Sequence, residues 1–167
     1  MFKFFKNLFT REVENLDSSN QEEGGDYVDL GLSVKWAKKN IGAQTEEDHG
    51  DYYNYDEIEG KYNLPTVDQV RELFEKCKIK YDKKRNGFTI TGPNGNSIFI
   101  PIGGEREGNA HYEGGYFWTC SDHEMGYMQG YKYYGYVYVV SKAMKKIKAE
   151  TELLKRDGFW INIRPVE

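Results

Sequence analysis

The chain has 167 residues, a formal net charge of −4 and 38% hydrophobic residues. That length suits one domain with a short appendage. The acidic balance argues against a dedicated nucleic-acid binder, and no apolar run approaches the roughly 20 residues of a membrane span. Two cysteines, Cys77 and Cys120, could form one bridge but not a disulfide framework; two buried thiols in a reduced compartment is the simpler expectation.

Residues 1–17 read as an amphipathic helix. At about 100° per residue, Phe2, Phe5, Leu8, Phe9, Val13 and Leu16 share one side, and Lys3, Lys6, Asn7, Thr10 and Arg11 the other. Such a helix suits docking or self-association through residues 1–16, or a peripheral contact with a membrane surface. Lys3, Lys6 and Asn7 interrupt any secretory signal core, so the expected location is cytoplasmic or particle-associated. Residues 18–25 are polar, end in Gly24-Gly25 and read as a linker, which puts the folded domain at 26–167.

From Tyr27 to Ala43 the pattern is strand-like, with Val28, Leu30, Leu32 and Val34 alternating with polar positions and Trp36 supplying a core ring. Glu46–Glu59 carries seven acids and no Lys or Arg, and reads as a solvated loop. Asp48, His49, Asp51, Asp56 and Glu57 lack calcium-loop spacing, so no metal or other cofactor is expected there. A helix starts after Leu64-Pro65, with Thr66 as N-cap and Gln69 completing a capping box; Val67, Val70, Leu73, Phe74 and Cys77 form its apolar stripe. Phe88–Thr91 and Ile98–Ile100 read as strands joined by a turn at Gly92–Asn96, where Asn94-Gly95 is a strong hairpin signal.

The glycine-rich stretch 103–115 lacks the spacing of a phosphate loop and reads as irregular. Tyr116–Thr119 is a short expected strand and Tyr131–Val140 a longer one. Lys142–Arg156 carries six basic and two acidic residues, and both a helical insert and a hairpin are open for it. Phe159–Val166 closes the chain as an expected strand.

Eight of the fourteen tyrosines fall between Tyr112 and Tyr138. A buried phenol needs a hydrogen-bond partner, so so dense a cluster points to a wet, ligand-facing surface. The outward set of the late strand, Tyr134, Tyr136 and Tyr138 or their opposite-parity neighbours, is its expected centre. Asp122, His123, Tyr127, Tyr131, Trp160 and Asn162 complete the candidate binding face. Arg164 is expected to clamp carbonyls inside the fold and Trp118 to sit in the core. A catalytic reading would rest on Cys120 and His123, but an i, i+3 pair with no third orienting group makes a poor nucleophile site. No catalytic or metal-binding residues are assigned.

Tyr27-Val28-Asp29-Leu30-Gly31-Leu32-Ser33-Val34-Lys35-Trp36-Ala37, followed by Asn40-Ile41-Gly42-Ala43, resembles the opening block of the Fibrobacter-type major paralogous (FISUMP) domain. Gly50-Asp51-Tyr52-Tyr53, Leu64-Pro65-Thr66, the run from Thr91 to Pro101, Gly115–Thr119 and Ile163-Arg164-Pro165-Val166 resemble later blocks, in order over residues 27–166. The chain departs from that pattern at Phe159-Trp160-Ile161-Asn162 and in its lysine-rich stretch 142–156.

The resemblance implies an α+β, C-type-lectin-like domain with one main helix, short antiparallel strands and long loops. It also implies chain ends that lie together and late loops that display a ligand surface. The expected role is non-enzymatic recognition of a glycan or protein partner, in a bacterial or phage setting, without nucleic acid. The motifs of calcium-dependent lectins are missing, so no calcium is implied. Two alternatives follow from the same resemblance: a receptor-binding protein diversified by a retroelement, and an enzyme distantly related to formylglycine-generating, sulfatase-modifying proteins.

Overall fold

The computed structural model describes residues 27–103, 114–122, 134–143, 146–155 and 159–167. The expected helix at 1–17 and the linker at 18–25 lie outside the described residues, as does 104–113 of the glycine-rich stretch. Among the described residues the fold is mixed α+β, with two helices and three small antiparallel sheets.

The opening segment does not form the one long strand that its alternation suggests. Two short strands, β1 (Tyr27–Val28) and β2 (Trp36–Ala37), pair with each other. The bend between them begins where Asp29 Oδ1 accepts from Gly31 N at 2.7 Å, with Gly31 at φ +75°. An Asx turn through a left-handed glycine breaks extended pairing. Leu30 still enters the core, while Leu32 and Val34 pack at its margin.

The acidic segment likewise holds more structure than a solvated loop. Helix α1 (Tyr55–Ile58) starts at Asn54, whose side chain accepts from Asp56 N at 3.2 Å while Glu57 accepts from Asn54 N at 2.7 Å. Tyr55 and Ile58 are buried. Glu46 and Glu47 are clipped down by one cation: Arg85 donates through Nε to Glu47 (2.6 Å) and through Nη2 to Glu46 (3.1 Å), while lying 3.8 Å from the Phe99 ring centroid.

Helix α2 (Val67–Lys76) forms as its capping box dictates, with Thr66 and Gln69 satisfying each other's backbone N–H. Val70 and Leu73 are buried; Phe74 and Cys77 pack beside them. Next comes a three-strand meander: β3 (Lys78–Asp82), β4 (Gly87–Thr91) and β5 (Ser97–Pro101). The Gly92–Asn96 turn closes as expected, with Gly95 N bonding Gly92 O and Gly92 N bonding Asn96 O. Asn94 and Asn96 both donate to Asp29 O, tying this turn to the opening segment.

The third sheet contains β6 (Gly114–Asp122), β7 (Tyr134–Ala143) and β8 (Lys146–Lys155), with β7 in the middle. Residues 146–155 of the lysine-rich stretch therefore form a strand antiparallel to β7, paired from Tyr134↔Lys155 to Ala143↔Lys146, as the hairpin alternative has it. Residues Val137–Val140 are buried in succession, because each face of β7 meets a different core. Tyr138 and Val140 join Leu30, Trp36, Val70, Leu73, Phe117 and the β4 and β5 residues Phe88, Ile90, Ile98 and Ile100 in one cluster. Val137 and Val139 join Ile41, Tyr55, Ile58, Leu64, Trp118, Ile161 and Ile163 in the other.

The closing run is not a strand of any of the three sheets. It makes single bridges to three segments, Tyr53↔Ile161, Phe117↔Asn162 and Trp36↔Val166. Its last residue exchanges backbone bonds with Lys35 in both directions, at 2.8 and 3.0 Å, and Asn63 donates to Val166 O at 2.6 Å. The end of the chain is thus sewn to the first hairpin. No helix among the described residues is long and apolar enough to cross a membrane.

Candidate recognition surface

The residues expected to form a binding face part company in the structure. Tyr138 is fully buried, which corrects its assignment as a ligand contact. Its ring stacks on Phe117 (centroids 4.8 Å, 13° apart) and meets Trp36 and Phe74 edge-on at 6.0 and 6.3 Å. The physical reason is the central position of β7. Outward-facing alternation needs one uncovered face, and here both are covered. Burial pushes the Tyr138 phenol well above its ordinary value, against the opposing charge of Arg164.

Asn162 is also corrected, from binding face to framework. It is buried, and Nδ2 donates to both His49 O and Asp51 O at 2.9 Å. Its carbonyl side faces Gly103, where an added Cβ would come within 2.5 Å of Oδ1, so the approach requires glycine. Asn40 Nδ2 donates to the same His49 carbonyl, and Asn40 Oδ1 accepts from Arg164 Nε at 2.8 Å. Arg164 Nη1 reaches Phe99 O at 2.7 Å. Arg164 is thus the buried clamp its Arg-Pro-Val setting suggests, joining the opening segment, β5 and the chain end. Trp118 lies in the core, donating to Tyr53 O at 2.9 Å.

Tyr134 and Tyr136 occupy β7 ladder positions opposite Lys155 and Leu153, and Asp122 ends β6 opposite Gly135. His123, Tyr127 and Tyr131 lie outside the described residues. Trp160 is 41% exposed, the one exposed large hydrophobic side chain among the described residues. Residues 161–166 that follow it are all buried, with Ile161 and Ile163 in the second core, and Phe159 packs half-buried against that core.

Residues absent from the expected face enrich this surface. Tyr53, Tyr62 and Tyr116 are half-buried rings on the same core, and Tyr53 and Tyr62 meet at 6.0 Å. The Tyr53 hydroxyl donates to Asp51 Oδ2 at 3.5 Å. Burial, then Tyr62, then Asp51 hold its proton on well above the ordinary range, so it remains a neutral donor. The adjacent Tyr52-Tyr53 pair is the sequence signal for it, but only the bridge from Tyr53 to Ile161 brings it to the late part of the chain.

The two thiols differ from the buried pair expected. Neither is in a disulfide; Cys77 is half-buried and Cys120 exposed. Burial, with Glu72 nearby, raises Cys77 to about 11, which makes it a poor nucleophile at neutral pH. No group of three metal-ligating side chains occurs among the described residues. Searches for a matching family model, a similar curated protein and a similar solved structure each find no match for the chain.

Proposed function

We propose that this chain is a non-enzymatic recognition module of the FISUMP, C-type-lectin-like kind, which presents aromatic side chains to a glycan or protein ligand. The exposed Trp160 carries this reading. A part-exposed indole beside half-buried aromatic rings is a residue type that binding hot spots favour. Half-buried Tyr53, Tyr62 and Phe159 pack against the second core, Tyr53 bridges Ile161 next to Trp160, and Asp51 with the Tyr53 hydroxyl supplies polar anchors. Stacking faces beside a few fixed polar groups suit a sugar ring or an aromatic-binding protein pocket. Tyr138 and Asn162 leave the proposed face; Tyr134 and Tyr136 hold the same β7 parity as Tyr138, whose side meets the first core, so they form no part of the surface around Trp160.

Two observations support the family reading. Blocks that resemble it touch one another: Trp36 bridges Val166, Ile41 N bonds Ile163 O, and Arg164 reaches Phe99 O. The chain end also lies on the first hairpin. The test is a screen of the full chain against glycan arrays and protein partners, followed by Trp160→Ala. Binding should fall by about 2 kcal/mol, roughly thirtyfold, with the unfolding midpoint unchanged. Equal binding by the variant would remove Trp160 from the site and the proposal with it.

A further inference from the structure

Among the described residues strand β8 lies at the edge of its sheet, its only ladder being to β7. Alternate residues of an antiparallel strand aim their N–H and C=O at one neighbour and the rest aim away, so β8 directs about half its backbone groups outward. It runs for ten residues, without a proline or glycine to interrupt it. An edge of that length accepts another strand unless its side chains prevent it.

Lysines usually provide that protection, and Lys146, Lys148 and Lys155 are here. The acids between them change the outcome. Lys146-Ile147-Lys148-Ala149-Glu150-Thr151-Glu152 is self-complementary when laid antiparallel on itself. With a two-fold axis at Ala149, Lys146 falls opposite Glu152, Lys148 opposite Glu150, and Ile147 opposite Thr151. Symmetry repeats each ion pair, making four opposite-charge pairs. Other registers lose this match. An axis at Glu150 sets that residue opposite its own copy, and an axis between Glu150 and Thr151 sets Lys146 opposite Lys155. Charge therefore selects one register, while lysines still disfavour a strand that lacks acids at these positions. In the single chain Ala149, Glu150 and Thr151 are half-buried, and Glu150 Oε1 is shielded from solvent.

We infer that the β8 edge is a homodimer surface. Residues 146–152 of two copies pair about a two-fold axis at Ala149 and join their β6–β7–β8 sheets into one six-stranded sheet. This is an isologous contact, closed by its own symmetry. It is independent of the ligand reading above and of residues 1–16.

The test uses the full chain in sedimentation velocity across a concentration series. The expected species at high concentration has twice the 19.5 kDa chain mass. Lys148→Glu or Glu150→Lys should each weaken the dimer roughly tenfold or more, because each turns two attractive pairs into repulsive ones. The double variant K148E/E150K should recover affinity, since it restores opposite charges in the same register. Circular dichroism checks that each variant is folded; if one is not, K146E, E152K and their double variant repeat the cycle. A monomer at every concentration overturns the proposal. So does a dimer insensitive to the single changes, as one held by residues 1–16 would be, or one that the double variant fails to restore.

Discussion

Replacing Tyr138 by Phe should stabilise the protein, although a tyrosine is being removed from a well-packed core. Among the described residues its buried hydroxyl has no hydrogen-bond partner. Burying an unpaired hydroxyl costs about 1–3 kcal/mol, so Phe should gain about 1 kcal/mol once some relaxation is allowed for. The ring is another matter. It stacks on Phe117 and meets Trp36 and Phe74 edge-on. Tyr138→Ala would forfeit three aromatic pairs and open a cavity, a loss of about 4 kcal/mol. The two variants should thus lie about 5 kcal/mol apart. Urea unfolding followed by tryptophan fluorescence measures both, with the midpoint moving up for Phe and down for Ala at an unchanged slope. If Phe were destabilising by 1 kcal/mol or more, the hydroxyl would have a partner and the account of this core would fail. Neither variant should lower ligand affinity in the folded protein.

Arg164→Met should cost about 3 kcal/mol, because Asn40 Oδ1 and Phe99 O lose their donor, offset in part by relief of a buried charge. Burial lowers the Arg164 pKa to about 10, so it is still charged at neutral pH; a Met variant as stable as the parent in urea would contradict the clamp. An aromatic disulfide reagent near pH 8 should label exposed Cys120 in a fast phase and Cys77, held up at about 11, in a slow one; equal rates would contradict this placement. Lys76 first, and Ser33 second, hold Glu72 down to about 2 from an ordinary 4.5. Its contribution is therefore present above about pH 4.5 and lost as pH falls towards 2. Glu72→Gln should remove about 1 kcal/mol of that acid-side loss, and an unchanged pH dependence of unfolding would refute the pairing.

Short-range chemistry was legible from the residues alone. The Thr66–Gln69 capping box and the Asn94-Gly95 turn appear where expected, since both depend on groups within five residues of each other. The same kind of signal at Asn54 and Glu57 was present but masked by the acidic composition around it. The alternation from Tyr27 to Ala43 misled because a turn between Asp29 and Gly31 outranks periodicity. The stretch 142–156 was ambiguous because lysine-rich sequence favours helix locally, whereas ten ladder positions against β7 decide for strand.

The candidate surface shows the same division. Sequence alone established an α+β chain rich in late aromatics, with Arg164 and Trp118 as framework. Which aromatics face solvent was decided by packing. Tyr138 and Trp160 are equally aromatic and equally late, yet one is enclosed between layers and the other exposed. The enclosure comes from residues far away in sequence: α2 and the first hairpin on one face of β7, Ile41 and the chain end on the other. Period-2 alternation states that a strand has two faces; only the tertiary structure determines how many of them are covered.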